Sequence, residues 1–179
     1  MNWQGARKAI TQASSFYMTT PNPDEGRGGG FNNNNMMVRA LEAGMILNAV
    51  YNQPEDRKCW LLFAYSEIFT MNEVKALNLY CLANVLKIYQ EKYGQIKPKK
   101  MYKSKVAITR AIYDFKLRVN SQTKIPVKEL AVELCSQDNW HREFGKIHRV
   151  TQYYLDELDA KGLVPVRNVI DAAREEIAA

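Results

Sequence analysis

From Asn35 to the C-terminus, apolar residues return every three or four positions, and no stretch alternates apolar with polar over the length of a strand. That period belongs to helices that bury one stripe. It restricts the chain to an all-α fold, and the punctuation between periodic segments predicts six to eight helices. Val38, Leu41, Met45, Ile46 and Val50 mark one helix; Trp60, Leu61, Ala64, Tyr65 and Ile68 mark the next, opened by Pro54. Thr70 and Glu73 have the spacing of a capping box, in which hydroxyl and carboxylate each satisfy the other's backbone N–H. Behind them Val74, Leu77, Cys81, Val85 and Ile88 define a long helix that should stop at Gly94.

Upstream, residues 3–18 predict a helix with Ala6, Ile10, Ala13 and Tyr17 on one side. The run TTPNPDEGRGGGFNNNN then has too little to bury against its chain entropy and predicts a flexible loop at about 19–34. GRGGG is not a phosphate loop, since no GxxxxGK[ST] occurs and no strand precedes it. Downstream, Ile108, Ile112 and Phe115 mark a helix from about Ser104 to Val119, and NSQTK reads as a turn. Phe144, Ile147, Thr151, Tyr154 and Leu158 predict a long helix after Asp138-Asn139, ended by Gly162 and Pro165, with a last helix from Val166. The expected division is 1–34 (N-terminal helix and loop), 35–94 (helical core) and 95–179 (basic connector and DNA-binding region), with one continuous domain as the alternative.

Charge is concentrated. Between Lys87 and Arg110 stand eight cations and one carboxylate, Glu91, so this segment alone exceeds the net +6 of the chain. Such a patch points to an anionic partner, above all nucleic acid; a solvated loop is the plainer alternative. The stretch IPVKELAVELCSQDNWHREFGKIHRV, residues 125–150, predicts a helix-turn-helix-like unit. Pro126 opens the first helix, SQDN breaks it, and the second presents His141, Arg142, Lys146 and Arg149 outward with Phe144 and Ile147 inward. One face anchors such a helix while the other reaches base edges and phosphates. Trp140 reads as a core anchor, with base stacking as the alternative. The expected nucleic-acid residues are therefore Lys124, Lys128, His141, Arg142, Lys146 and Arg149, with Lys97, Lys99, Lys100, Lys103 and Lys105 adding phosphate contacts.

Other chemistry is sparse. Cys59, Cys81 and Cys135 form no CxxC and, with only His141 and His148, do not make a zinc site; they read as reduced thiols in apolar helix faces. No HExxH, GxSxG or GxGxxG occurs. Asp156, Glu157 and Asp159 beside Lys161 read as a solvated face, as do Asp171, Glu175 and Glu176. Neither an enzyme nor a cofactor is expected. No run reaches the ~20 apolar residues of a membrane span, and no secretory signal is visible.

The residues from Asn139 to Ile170 carry a resemblance. Trp140, Arg142, the pairs Leu155-Asp156 and Leu158-Asp159, then Gly162-Leu163 and Pro165-Val166, resemble the C-terminal part of the phage late-gene antiterminator family. The resemblance implies a DNA-binding transcription regulator in the cytoplasm of a bacterial host. It would bind double-stranded DNA and the bacterial RNA polymerase, with its sigma factor, so that elongation passes terminators. Some members carry a cysteine-rich zinc motif; its absence here implies a zinc-free type. The alternatives are an operator-binding repressor and a helical protein–protein adaptor or inhibitor with an acidic partner.

Overall fold

The computed structural model describes residues 3–19, 33–120 and 122–178. Among them the chain is all-helical, without strands: α1 (Gln4–Thr19), α2 (Asn33–Tyr51), α3 (Glu55–Tyr65), α4 (Met71–Tyr93), α5 (Pro98–Val119), α6 (Val127–Ala131), α7 (Gln137–Glu143) and α8 (Gly145–Ala178). Of the loop expected at 19–34, residues 20–32 lie outside the described residues; Thr19 ends α1, and Asn33 and Asn34 open α2.

The chain falls into two compact units, one of residues 1–73 with 159–179 and one of residues 74–158, so both boundaries lie inside helices, α4 and α8. The sequence reading put its divisions at 34/35 and 94/95, with one continuous domain as the alternative.

In the first unit, Ala13 packs with Ala43 and Leu47, and Phe16, Ile46 and Ile68 close around them. α3 is buried along its length from Cys59 to Tyr65. The capping box forms as read: Thr70 N–H donates to Glu73 Oε2 at 2.6 Å, and Glu73 N–H to Thr70 Oγ1 at 3.3 Å. Two sequence expectations fail on α8. Gly162 and Pro165 do not end the helix, which runs through both. Gly162 sits where α8 crosses α3: a Cβ there would stand 3.2 Å from Leu61 Cγ and Cδ1, so glycine lets the helices approach. Its carbonyl accepts a hydrogen bond from Gln53 Nε2 at 2.9 Å. Pro165 has no N–H for the Lys161 carbonyl, yet Leu163 and Val166 on either side of it are fully buried, and that packing holds the helix together.

The third failure is Asp159. It is no part of a solvated face but 2% exposed. Its Oδ1 accepts from Trp60 Nε1 at 2.8 Å and from the Tyr65 hydroxyl at 2.6 Å, and its Oδ2 from Arg7 at 2.6 Å. Burial first, then the nearby carboxylate, push the Tyr65 hydroxyl far above its ordinary range, so it stays a donor. Desolvation would lower the Arg7 pKa, but Tyr65 and Asp159 outweigh it, and the guanidinium stays charged. One carboxylate thus ties α1, α3 and α8.

In the second unit, Leu77, Cys81 and Val85 of α4 are buried, as are Ile108, Ile112 and Phe115 of α5. α4 ends where expected: Gly94 takes φ +84° and donates its N–H to the Gln90 carbonyl at 2.9 Å. α5 begins six residues earlier than expected. Pro98 stands in its first turn, so the lysines of the expected connector ride on a helix. The long helix expected after Asn139 is divided. α7 stops at Glu143, Phe144 leaves helical geometry at φ −124°, and α8 restarts at Gly145.

Between α6 and α7, Glu133 holds φ +63°, the left-handed region that costs a side-chain-bearing residue about 1–2 kcal/mol. Its side chain is exposed, so nothing packed is lost by removing it. Glu133→Gly is expected to stabilise the chain by about 1 kcal/mol, net of the greater freedom glycine gives the unfolded state. Equilibrium denaturation measures this; an equal loss of stability would show that the turn does not need that conformation.

Candidate nucleic-acid interface

The second unit carries every residue expected to meet nucleic acid. Lys97 occupies the cap position of α5, and Lys99, Lys100, Lys103 and Lys105 follow on its first two turns, all exposed. Two of the five are already engaged. Lys103 Nζ donates to the Leu134 carbonyl at 2.5 Å. Lys100 Nζ pairs with Glu143 Oε2 at 3.1 Å. Arg110, one turn beyond the cluster, donates to the carbonyls of Leu130, at 2.8 Å, and of Val132. The inner edge of α5 therefore holds down the C-terminal end of α6, where carbonyls lack helical partners. Lys97, Lys99 and Lys105 are left to solvent in this arrangement.

Lys124 and Lys128, before and within α6, are exposed. His141 and Arg142 are exposed too, but they stand in the last turn of α7, not at the start of a reading helix. There they complement the negative end of the helix dipole, and Gly145, the first residue of α8, lies beside His141. With five and seven residues, α6 and α7 do not show the expected helix-turn-helix unit. Trp140 is no stacking platform. It is 2% exposed, 5.7 Å from the Phe144 ring and edge-on to the His148 ring at 6.0 Å. Lys146 is exposed and holds its ammonium 5.1 Å from the centroid of the Tyr93 ring at the end of α4, within cation–π range.

Two groupings result. The first is the meeting of α5 with α7, where Lys100 at 3.1 Å and Arg142 at 3.9 Å converge on Glu143; the Arg142 side chain stays 74% exposed. The second is a cleft of about 610 Å³ that gathers Lys124, His141 and Arg149 with Arg118 and His148 over a floor including Ile125, Leu130 and Trp140. Asp114 is its one carboxylate. Burial would raise this group, but His148, 3.4 Å away, and the Ile125 N–H, 3.0 Å away, hold it below the ordinary carboxylate range. Lys128, Lys146 and Lys105 are not among the residues of either grouping.

Arg118 was missed by the sequence reading, which read His148 with His141 as fitting phosphate contact or plain surface but did not count it among the nucleic-acid residues. Arg118 lies over the Phe115 ring, 4.4 Å from its centroid, and pairs with Asp156 at 3.0 Å. Its placement depends on how α5 packs beside α8, which no local pattern announces; His148, seven residues after His141, had at least the spacing of a shared helical face. Elsewhere, Cys59 and Cys81 are buried and Cys135 is half-buried, none of them in a disulfide, with burial the first cause pushing the Cys59 thiol up to about 11. Among the described residues, no group of three or more His, Cys, Asp or Glu is placed to hold a metal ion, and no helix is long and apolar enough to cross a membrane. In comparison with known proteins, the chain matches no family model, no curated protein and no solved structure.

Proposed function

We propose that the chain is a DNA-binding transcription regulator, with residues 74–158 meeting the nucleic acid. The observation that carries this reading is the meeting of the start of α5 with the end of α7: Lys100 and Arg142 both pair with Glu143, and Lys97 and Lys99, next to Lys100 in the chain, are exposed. Phosphates attract such a surface without regard to sequence, by counterion release. Arg142 has the reach and the fork of donors for a guanine edge. The cations that close α6, Lys103 and Arg110, support the surface more than they touch DNA.

The finer assignment, an antiterminator that joins DNA and the bacterial RNA polymerase and allows terminator read-through, rests on the resemblance of residues 139–170 to that family. Adding the protein to polymerase stalled near a promoter tests it. Read-through should rise, whereas an operator-binding repressor would not raise it.

DNA binding itself is tested by substitution. On a duplex enriched by selection and on random duplex, Lys99→Ala with Lys100→Ala should weaken both about equally and reduce the salt slope by about 1 per lysine. Arg142→Ala should cost about 1–3 kcal/mol more on the enriched duplex than on the random one. Equal losses on both would remove Arg142 from sequence reading. Failure to bind any duplex at low salt, where the electrostatic contribution is largest, would end the DNA reading and favour an acidic protein partner.

A further inference from the structure

Lys97, Lys99, Lys100 and Arg142 stand outside the lining of the cleft over Trp140, so the cleft is a feature of its own. Its volume, about 610 Å³, falls in the range of small-ligand sites. A duplex presents its phosphates on a convex rod and would meet the rim of such a hollow, not its floor. Three permanent cations line it, Arg118, Lys124 and Arg149, against the single carboxylate Asp114. Asp114 is engaged within the chain: its Oδ1 accepts the Ile125 N–H at 3.0 Å, and its Oδ2 stands 3.4 Å from His148 Nε2. Arg118 also pairs with Asp156 at 3.0 Å, but both side chains are exposed, and such a pair contributes little. Arg149 donates its Nε–H to the Gly145 carbonyl at 3.3 Å, a bond that does not use the terminal nitrogens of its fork. Gly145 opens α8 and lines the same cleft, so the positive end of that helix adds to the excess. Beneath these charges the floor is apolar, with Ile125, Leu130 and Trp140.

Cations above an apolar floor ask for an anionic head on an apolar body. Three cations against one carboxylate leave an excess of two charges. A carboxylate ligand would match only half of it. A phosphate monoester carries about 1.5–2 negative charges at neutral pH, with three strong acceptor oxygens. Guanidinium forks such as those of Arg118 and Arg149 suit those oxygens, and the Lys124 ammonium serves as a point charge. We propose that this cleft binds a small phosphate monoester with a flat apolar body, the chemistry of a nucleoside monophosphate. The site is independent of the DNA reading, because the residues that carry that reading lie outside it, and its test contains no duplex.

Titration calorimetry of the full chain with the ribonucleoside monophosphates should show one saturable site. Free nucleosides lack the head and inorganic phosphate lacks the body, so each should bind at least about tenfold more weakly. Lys124→Ala and Arg149→Ala should each weaken the nucleotide about tenfold through loss of a charge-assisted contact. Lys99→Ala, outside the cleft, should leave it unchanged. Lys124 and Arg149 are exposed, so melting should not move; should an alanine variant unfold, Lys124→Gln or Arg149→Gln keeps the stem and removes the charge. No binding of any nucleoside monophosphate at about 1 mM, the weak end of ordinary metabolite binding, would overturn the proposal. So would an equal loss in the Lys99 variant, which would mean a diffuse effect of charge. Inorganic phosphate binding as tightly as the nucleotides would remove the apolar floor from the site. A terminally phosphorylated oligonucleotide that binds more than about tenfold tighter than the mononucleotides, and loses that binding in the cleft variants, would move the phosphate onto a nucleic-acid end and defeat the small-molecule assignment.

Discussion

Asp159→Ala is expected to remove about 3–5 kcal/mol of stability, the usual cost of deleting one partner from a buried ion pair. The carboxylate accepts from three donors at 2.6–2.8 Å, and each comes from a different part of the first unit's framework: Arg7 of α1, Trp60 near the middle of α3, and Tyr65 at its end. Removing it takes this acceptor from all three. For the indole N–H and the phenol the loss is about 1–3 kcal/mol each where no water replaces it. The guanidinium, half-buried and beside the Tyr65 ring, keeps its charge with no counter-ion at its side. Losses of this kind within one network do not add, so the pair figure, not the sum, is the expectation. Asp159→Asn should recover part of the loss, since its carbonyl oxygen can still serve one or two donors, but its amide then faces the others. Arg7→Met separates charge from shape: it removes the cation and keeps much of the stem, so it should cost less than Asp159→Ala. Thermal or denaturant unfolding followed by circular dichroism measures all three. An Asp159→Ala chain within about 1 kcal/mol of wild type would mean that the buried carboxylate contributes no more than an ordinary surface residue.

That network shows where the sequence was legible and where it was misread. The period of three and four gave the helices, and at Val74, Leu77, Cys81 and Val85 it named residues that are buried. The Thr70–Glu73 cap was readable because its whole mechanism lies within four residues. Asp159 was misread because its neighbours in sequence, Asp156, Glu157 and Lys161, are exposed. Its helical phase was the better guide: Asp159 is in step with Leu155, Leu158, Gly162, Leu163 and Val166, all buried. Gly162 and Pro165 are local stop signals that tertiary packing overrides, since Gly162 is the point of closest approach to Leu61. In α2 the sequence held two apolar faces, and nothing in it says which one the chain covers itself. The early start of α5 was visible in Pro98, read as part of a connector although proline suits a first helical turn. The candidate interface was legible as a list of cations but not as an arrangement. The cleft combines Arg118 with Lys124, His141 and Arg149 through packing across α5, α7 and α8, and the engagement of Lys103 and Arg110 with backbone carbonyls has no sequence signal at all.

Trp140→Ala should cost about 3–5 kcal/mol, the range for truncating a fully buried large aromatic, and should weaken DNA binding only through that loss. The indole occupies the floor under the basic cleft, against Phe144 and His148. Phe144 is where the chain leaves α7 for α8, and the Phe144 N–H donates to the Trp140 carbonyl at 2.8 Å, so the residue both fills the core and shapes the break. Taking the ring away leaves a cavity below His141 and Arg149 whose walls, α6 and α8, relax only in part. Trp140→Phe keeps a flat apolar ring and should cost less than half as much, with duplex affinity near that of wild type. A base-stacking residue would behave the other way, because stacking is lost in proportion to the platform while the fold stays intact. The discriminating comparison is therefore between the two substitutions at a temperature where both variants are folded. Should Trp140→Ala prove as stable as wild type yet fail to bind, the indole reaches the nucleic acid, and its burial beneath the cleft is not the conformation that binds.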